Sequence, residues 1–226
     1  KGHLSLERRR VYRKYGVKPL DGIRLTKTVP LISPDLPGMY EPPRAYPNWH
    51  MVGPILAQPT LAKPDWWDEL DDGRTNIYLT MGSTGILDHF LLRTYDALSK
   101  TPYRFLMTTA GQASPEVLAQ APDNFRIAEY APGGELLEHC QGLLFHGGNG
   151  TMYQALAAGV PMVGVPTHLE QRVNFAAARR HGFGIQLGAR GIRGDRLVRA
   201  LNRILEEPRF RENARKFSEA VKSSHG

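Results

Sequence analysis

The chain has 226 residues, 41% of them hydrophobic and 23% charged. That allows one large domain, or one domain with a piece of another, and excludes disordered, collagen-like and coiled-coil compositions. The formal charge of +7 is a property of one end: residues 1–28 hold nine Lys/Arg against Glu7 and Asp21, leaving 20 basic and 20 acidic residues in 29–226. A localised excess of this kind reads as a solvated helix face, so no nucleic-acid partner is expected.

No apolar run approaches the ~20 residues needed to cross a bilayer, and none follows the basic start KGHLSLERRR. Neither a membrane span nor a signal peptide is expected, and the expected location is the cytoplasm. The single Cys140 excludes an intrachain disulfide framework and fits a reducing compartment. The chain does not begin with Met, which suggests a piece of a longer protein.

In LSLERRRVYRKYG the apolar Leu4, Val11, Tyr12 and Tyr15 fall near helical spacing, which predicts an amphipathic helix with a basic face. Nine of the seventeen prolines lie between residues 30 and 64. Proline lacks an amide donor and disfavours helix at the residue before it, so this stretch should be extended, with one short strand near residues 28–32. The domain boundary falls there: residues 1–48 as the remnant of one lobe, 49–64 as a linker and 65–226 as a complete domain.

From residue 76 the pattern alternates. NIYLTMG reads as a strand, and LDHFLLRTYDALSK keeps a helical stripe at Leu87, Phe90, Leu91, Tyr95 and Leu98. Strands follow at YRFLMTT, NFRIAEY, GLLFH, VPMVGVP and GIQLG, separated by helices at SPEVLAQA, GELLEHC, GTMYQALAAG and EQRVNFAAARRHG. The fold class is therefore α/β, a Rossmann-like parallel sheet of six strands with helices on both faces. Helices around residues 195–206 and 209–223 close the chain, with Asp195 as N-cap and Pro208 between them. Met81, Met107, Met152 and Met162 fall at core positions of these elements.

In such sheets ligands bind beyond the carboxyl ends of the strands, so the loops there carry the chemistry. Two are glycine-rich: MGSTG at 81–85, and FHGGNGT at 145–151, which opens a helix. Glycines admit a ligand close to the backbone, and a helix N-terminus favours an anion, so together the loops suggest a phosphate-bearing ligand; tight strand-to-helix turns are the plainer alternative. No G-x-x-x-x-G-K-[ST] is present, which argues against nucleoside triphosphate hydrolysis. Gly148 and Gly150 begin a G-x-G-x-x-G, but Tyr153 stands at the third position and the turn lies in mid-sheet, which weakens a dinucleotide reading. His139, Cys140 and His146 do not make a zinc site, and no metal is expected. His168 suits either an orienting role beside Glu170 or the surface.

The stretch FHGGNGTMYQALAAGVPMVGVPTHLEQRVNFAAA resembles the donor-binding signature of family 1 glycosyltransferases, enzymes of GT-B fold that use nucleotide diphosphate sugars. The likeness rests on the His-Gly-Gly-x-Gly-Thr turn, on AxxxGVPM, and on the acidic-Gln-x-x-Asn segment at Glu170, Gln171 and Asn174. Tyr130-Ala131-Pro132 and Gly82-Ser83-Thr84 fall where that family has its base site and first diphosphate loop. The resemblance covers residues 49–222 and implies the C-terminal, donor-binding lobe. It implies that Ser83, Thr84, His146, Gly148, Asn149, Gly150 and Thr151 hold the diphosphate. It further implies that Tyr130 stacks on the base while Ala131 reads its edge, and that Glu170 and Gln171 bind the sugar hydroxyls. Gln154 stands where a UDP-specific member has a ribose-binding Glu, so UDP- and dTDP-sugars both remain open.

What the resemblance implies is an inverting transfer of sugar to a hydroxyl of a small acceptor, without a cofactor beyond the nucleotide sugar itself. The general base would belong to the acceptor lobe, so the chain alone should bind donor without transferring sugar. A donor-binding subunit of a two-chain transferase and a dinucleotide-binding module are the alternatives.

Overall fold

A computed structural model describes residues 10–16, 29–41, 48–56, 59–82, 87–188, 192 and 195–224. The chain divides into two compact units, residues 1–53 and 54–226.

In the first unit residues 10–14 are helical, and the rest of the predicted amphipathic helix lies outside the described residues. Strand β1 (Leu31–Ser33) pairs in parallel with β2 (Trp49–Met51). β2 occupies part of the stretch expected to be linker. It uses the proline-free residues between Pro47 and Pro54, the window in which every residue keeps an amide to donate.

The second unit holds a six-stranded sheet in the order β5-β4-β3-β6-β7-β8, parallel throughout. Its strands are β3 (Asn76–Thr80), β4 (Arg104–Thr108), β5 (Phe125–Ala128), β6 (Gly142–Phe145), β7 (Met162–Gly164) and β8 (Gly184–Gln186). Every residue of β3, β4, β6 and β7 is buried, as continuous apolar runs covered on both faces must be. The connecting helices are α1 (Leu87–Leu98), α2 (Pro115–Leu118), α3 (Gly133–Glu138), α4 (Asn149–Ala157), α5 (Leu169–Arg180), α6 (Asp195–Glu206) and α7 (Pro208–Ser223).

Each helix buries the stripe its sequence carries. Phe90, Leu91, Tyr95 and Leu98 of α1, with Leu197, Leu201 and Ile204 of α6, join Ile77, Leu79, Phe105, Met107 and Leu144 of the sheet in one core. Met152, Tyr153 and Leu156 of α4 and Phe175 of α5 are also buried. The four methionines read as core residues are at most 5% exposed.

One buried residue of the sheet is charged. Arg104 opens β4 at 2% exposure, donating through Nη1 to the Glu69 carbonyl and through Nη2 to the Asp72 carboxylate. It ties the turn before β3 to the amino ends of the strands, away from the carboxyl ends where ligands bind.

Candidate donor site at the sheet switch point

The strand order reverses between β3 and β6: the chain runs outward through β4 and β5, then returns to lay β6 on the other side of β3. The carboxyl ends of β3 and β6 therefore border the crevice where open α/β sheets take ligands. Both glycine-rich loops start there. Ser83 and Thr84 lie outside the described residues, and the loop is described as far as Gly82.

His146 follows β6 and sits between the two loops. A Cβ added to Gly82 would come within 2.8 Å of its Cε1, and one added to Gly148 within 2.7 Å of its Nε2. Neither glycine can carry a side chain while the imidazole keeps its place. Burial pushes the His146 pKa below its ordinary value, with the Thr80 backbone and the Glu170 charge pulling the other way and His168 adding to the fall. Its Nδ1 is buried with no hydrogen-bond partner among the described residues. A neutral, half-buried imidazole with an unfilled nitrogen stands ready to gain a proton when an anion arrives.

The turn then enters α4, with Gly148 as N-cap in extended conformation. The first amide bonded back into the helix is that of Met152, to the Gly148 carbonyl, so the helix's own hydrogen-bond ladder starts at its fourth residue. A Cβ at Gly150 would meet nothing within 4 Å and its φ is ordinary, so the fold itself does not ask for glycine there.

Tyr130 follows β5 and is 55% exposed, while Ala131 is buried. The turn after them meets α4: a Cβ at Gly133 would be 3.5 Å from Gln154 Oε1. The segment expected to hold the base and the residue expected to read the ribose thus adjoin. Pro132, Gly133, Gln154, Ala157, Ala158 and Leu61 are among the residues lining a pocket of about 400 Å³ on this side.

Glu170 and Gln171 open α5 and differ in environment. Glu170 is exposed, and its Oε1 accepts from Asn174 Nδ2 at 2.7 Å. Gln171 is 4% exposed, and its Oε1 accepts from the Thr167 amide (2.8 Å), the Thr167 hydroxyl (3.1 Å) and the His168 amide (3.2 Å). Its carbonyl oxygen is thus engaged in starting the helix, and only its amide nitrogen remains to be offered to a ligand. His168 is the exposed N-cap.

Asn174 carried no role in the sequence reading beyond its place in the motif. In the structure its Nδ2 also donates to the Gly147 carbonyl at 2.9 Å, tying α5 to the glycine turn. The signal was the four-residue spacing from Glu170, which puts both on one helix face.

The other sulfur and imidazole groups lie apart from these. Cys140 donates to the Leu136 carbonyl, and burial pushes its thiol pKa up; His139 pairs with Asp71 at 2.8 Å. Among the described residues no group of His, Cys, Asp and Glu could hold a metal ion, and no helix is long and apolar enough to cross a membrane.

Sheet order, switch-point crevice and helix-capped glycine turn match the C-terminal half of a GT-B fold. Residues 93–225 match the family described as erythromycin biosynthesis protein CIII-like, C-terminal domain, and the chain belongs to it. It is 34% identical over 173 residues to a PGL/p-HBAD biosynthesis glycosyltransferase of Mycobacterium tuberculosis, across 76% of this chain and 40% of that protein. The chain thus spans about 40% of the length of such curated relatives. Among solved structures, the glycosyltransferase SnogD from Streptomyces nogalater superposes with a TM-score of 0.70 at 27% identity, over 85% of this chain and 53% of that one. Glycosyltransferase VinC in complex with dTDP superposes with a TM-score of 0.63 at 25% identity, over 74% and 42%.

Proposed function

We propose that this chain is the donor-binding lobe of an inverting glycosyltransferase. It holds a UDP- or dTDP-sugar, and the whole protein transfers the sugar to a hydroxyl of a small acceptor. The observation that carries this reading is His146: an imidazole with an unfilled buried nitrogen, held between Gly82 and Gly148 at the open N-terminus of α4. Helix amides and a histidine that can accept a proton stabilise the negative charge growing on a leaving diphosphate, so neither a metal nor a further cofactor is called for. Tyr130 and Ala131 take the base, Gln154 the ribose, and Glu170 with the Gln171 amide the sugar hydroxyls. Supporting it are relatives that are glycosyltransferases and a structural neighbour holding dTDP.

Transfer needs a base on the acceptor side. In this reading that base belongs to the part of the relatives' length that the chain does not span, so the chain alone binds donor and leaves it intact.

Calorimetric titration with UDP, dTDP and NAD, repeated with His146→Ala, tests the reading. Binding of UDP or dTDP, weakened about tenfold or more by the substitution, is the expected result for loss of a charge-assisted contact. Binding of NAD alone, or of none of the three, overturns it.

A further inference from the structure

Asn174 is 4% exposed, and its single side-chain nitrogen makes two bonds that reach different parts of the site. One goes to Oε1 of Glu170, one turn earlier on α5, at 2.7 Å. The other crosses to the Gly147 carbonyl at 2.9 Å. Gly147 is where the chain bends towards α4: its φ is +101°, and a Cβ there would come within 2.9 Å of the Phe175 ring and 3.2 Å of the Gln171 carbonyl.

The second bond fixes more than one atom. In a planar trans peptide the carbonyl and the following N–H point in opposite directions. With the Gly147 carbonyl turned towards α5, the Gly148 N–H points away from α5. The same nitrogen restrains a carboxylate whose side chain is otherwise exposed and free to change rotamer, which would cost orientation on binding.

We propose that Asn174 is a positioning residue that, anchored on the Gly147 carbonyl, holds the Glu170 carboxylate in the orientation that reads the sugar. The proposal rests on the donor-site reading above. Asn174 touches no ligand in it. In that reading its effect passes through Glu170, which binds the sugar hydroxyls, and so falls on the nucleotide sugar more than on the bare nucleotide.

The test is a double-mutant cycle on the full 226-residue chain, titrated with UDP, UDP-glucose, dTDP and dTDP-glucose. Glu170→Ala is expected to weaken the nucleotide sugar about tenfold and to leave the nucleotide within about twofold. Asn174→Ala should weaken the nucleotide sugar by a similar factor and the nucleotide by less than about threefold, and the double variant should lose less than about threefold beyond either single change. Multiplying losses of about a hundredfold, or equal losses for nucleotide and nucleotide sugar, would show a role in folding only and overturn the proposal. If Asn174→Ala does not fold, Asn174→Asp keeps the shape, removes the donor and is judged by the same criteria. A parent chain that binds none of the four removes this proposal together with the donor-site reading. Binding with independent losses removes this proposal alone.

Discussion

Phe175 lies where a side chain on Gly164 would have to be: a Cβ built on that glycine falls 1.8 Å from the ring's Cε2 and Cζ. Gly164 ends β7 in register with Phe145, whose ring lies 5.4 Å from that of Phe175. One aromatic on α5 therefore packs against the carboxyl ends of β6 and β7.

Gly164→Ala cannot be absorbed by a small rotation, since the obstacle is a ring packed on another ring. Overpacking of this kind costs about 1–3 kcal/mol or more. At about 2–4 °C per kcal/mol for a chain of this size, a clear fall in Tm is expected by circular dichroism. Gly164→Ala combined with Phe175→Leu should recover part of the loss. A Gly164→Ala chain as stable as the parent would show that the ring does not hold this position.

His146 makes stability depend on pH with a definite sign. Burial holds its pKa below the unfolded value of about 6.5, so the native chain binds fewer protons than the unfolded one and stability rises with pH. The contribution is complete above about pH 6.5 and is lost as pH falls from there towards the folded pKa. Binding of a diphosphate runs the other way, because the anion favours the imidazolium and affinity grows as pH falls through the same window. Urea unfolding and dTDP titration at pH 7.5 and 5.5 are expected to show opposite slopes in the parent. Both should flatten in His146→Gln, and the ligand's own protonation cancels in that comparison.

Asp72 and Arg104 should respond unequally. The Asp72 pKa is held down chiefly by the Arg74 amide at 3.1 Å, with Arg104 adding to it against partial desolvation. Asp72→Ala leaves a guanidinium at 2% exposure with its Nε unfilled and only the Glu69 carbonyl to bind. Arg104→Met keeps an apolar stem and leaves Asp72, 39% exposed, in water. Truncating the partner of a buried charge costs more than replacing the charge itself, so Asp72→Ala should lower Tm roughly twice as far as Arg104→Met. In the parent the carboxylate's contribution is present above about pH 3.9 and is lost as pH falls through its lower folded value.

Legibility followed the physics. The strand and helix alternation from Asn76 onward was readable because each element carries its own apolar period, and a parallel sheet covered on both faces leaves little choice of architecture. Loop glycines were readable as a pair, though not the reason for each: Gly82 and Gly148 make room for His146, while Gly150 faces open space. Arg104 was hidden inside YRFLMTT, because burying a strand-opening cation depends on Asp72 and Glu69, thirty or more residues away. β2 was hidden by its flanking prolines. Gln171 shows a different limit: a motif names the residue but not which end of its amide the helix start engages.

Gln154 offers the sharpest change of specificity. It is half-buried on α4 beside the turn at Gly133, and in the proposed donor site its amide stands where a carboxylate would accept from both hydroxyls of a ribose. Gln154→Glu should therefore favour ribose over deoxyribose. A hydrogen bond to a charged acceptor contributes about 1.5–3 kcal/mol against about 0.5–1.5 for a neutral one, a difference worth about tenfold in affinity. UDP and its 2′-deoxy analogue differ at that hydroxyl alone, so any repulsion between the new carboxylate and the diphosphate cancels in their ratio. Calorimetry is expected to show the ratio of the two Kd values moving about tenfold towards UDP in the variant. An unchanged ratio would place the ribose away from Gln154 and reassign that side of the pocket.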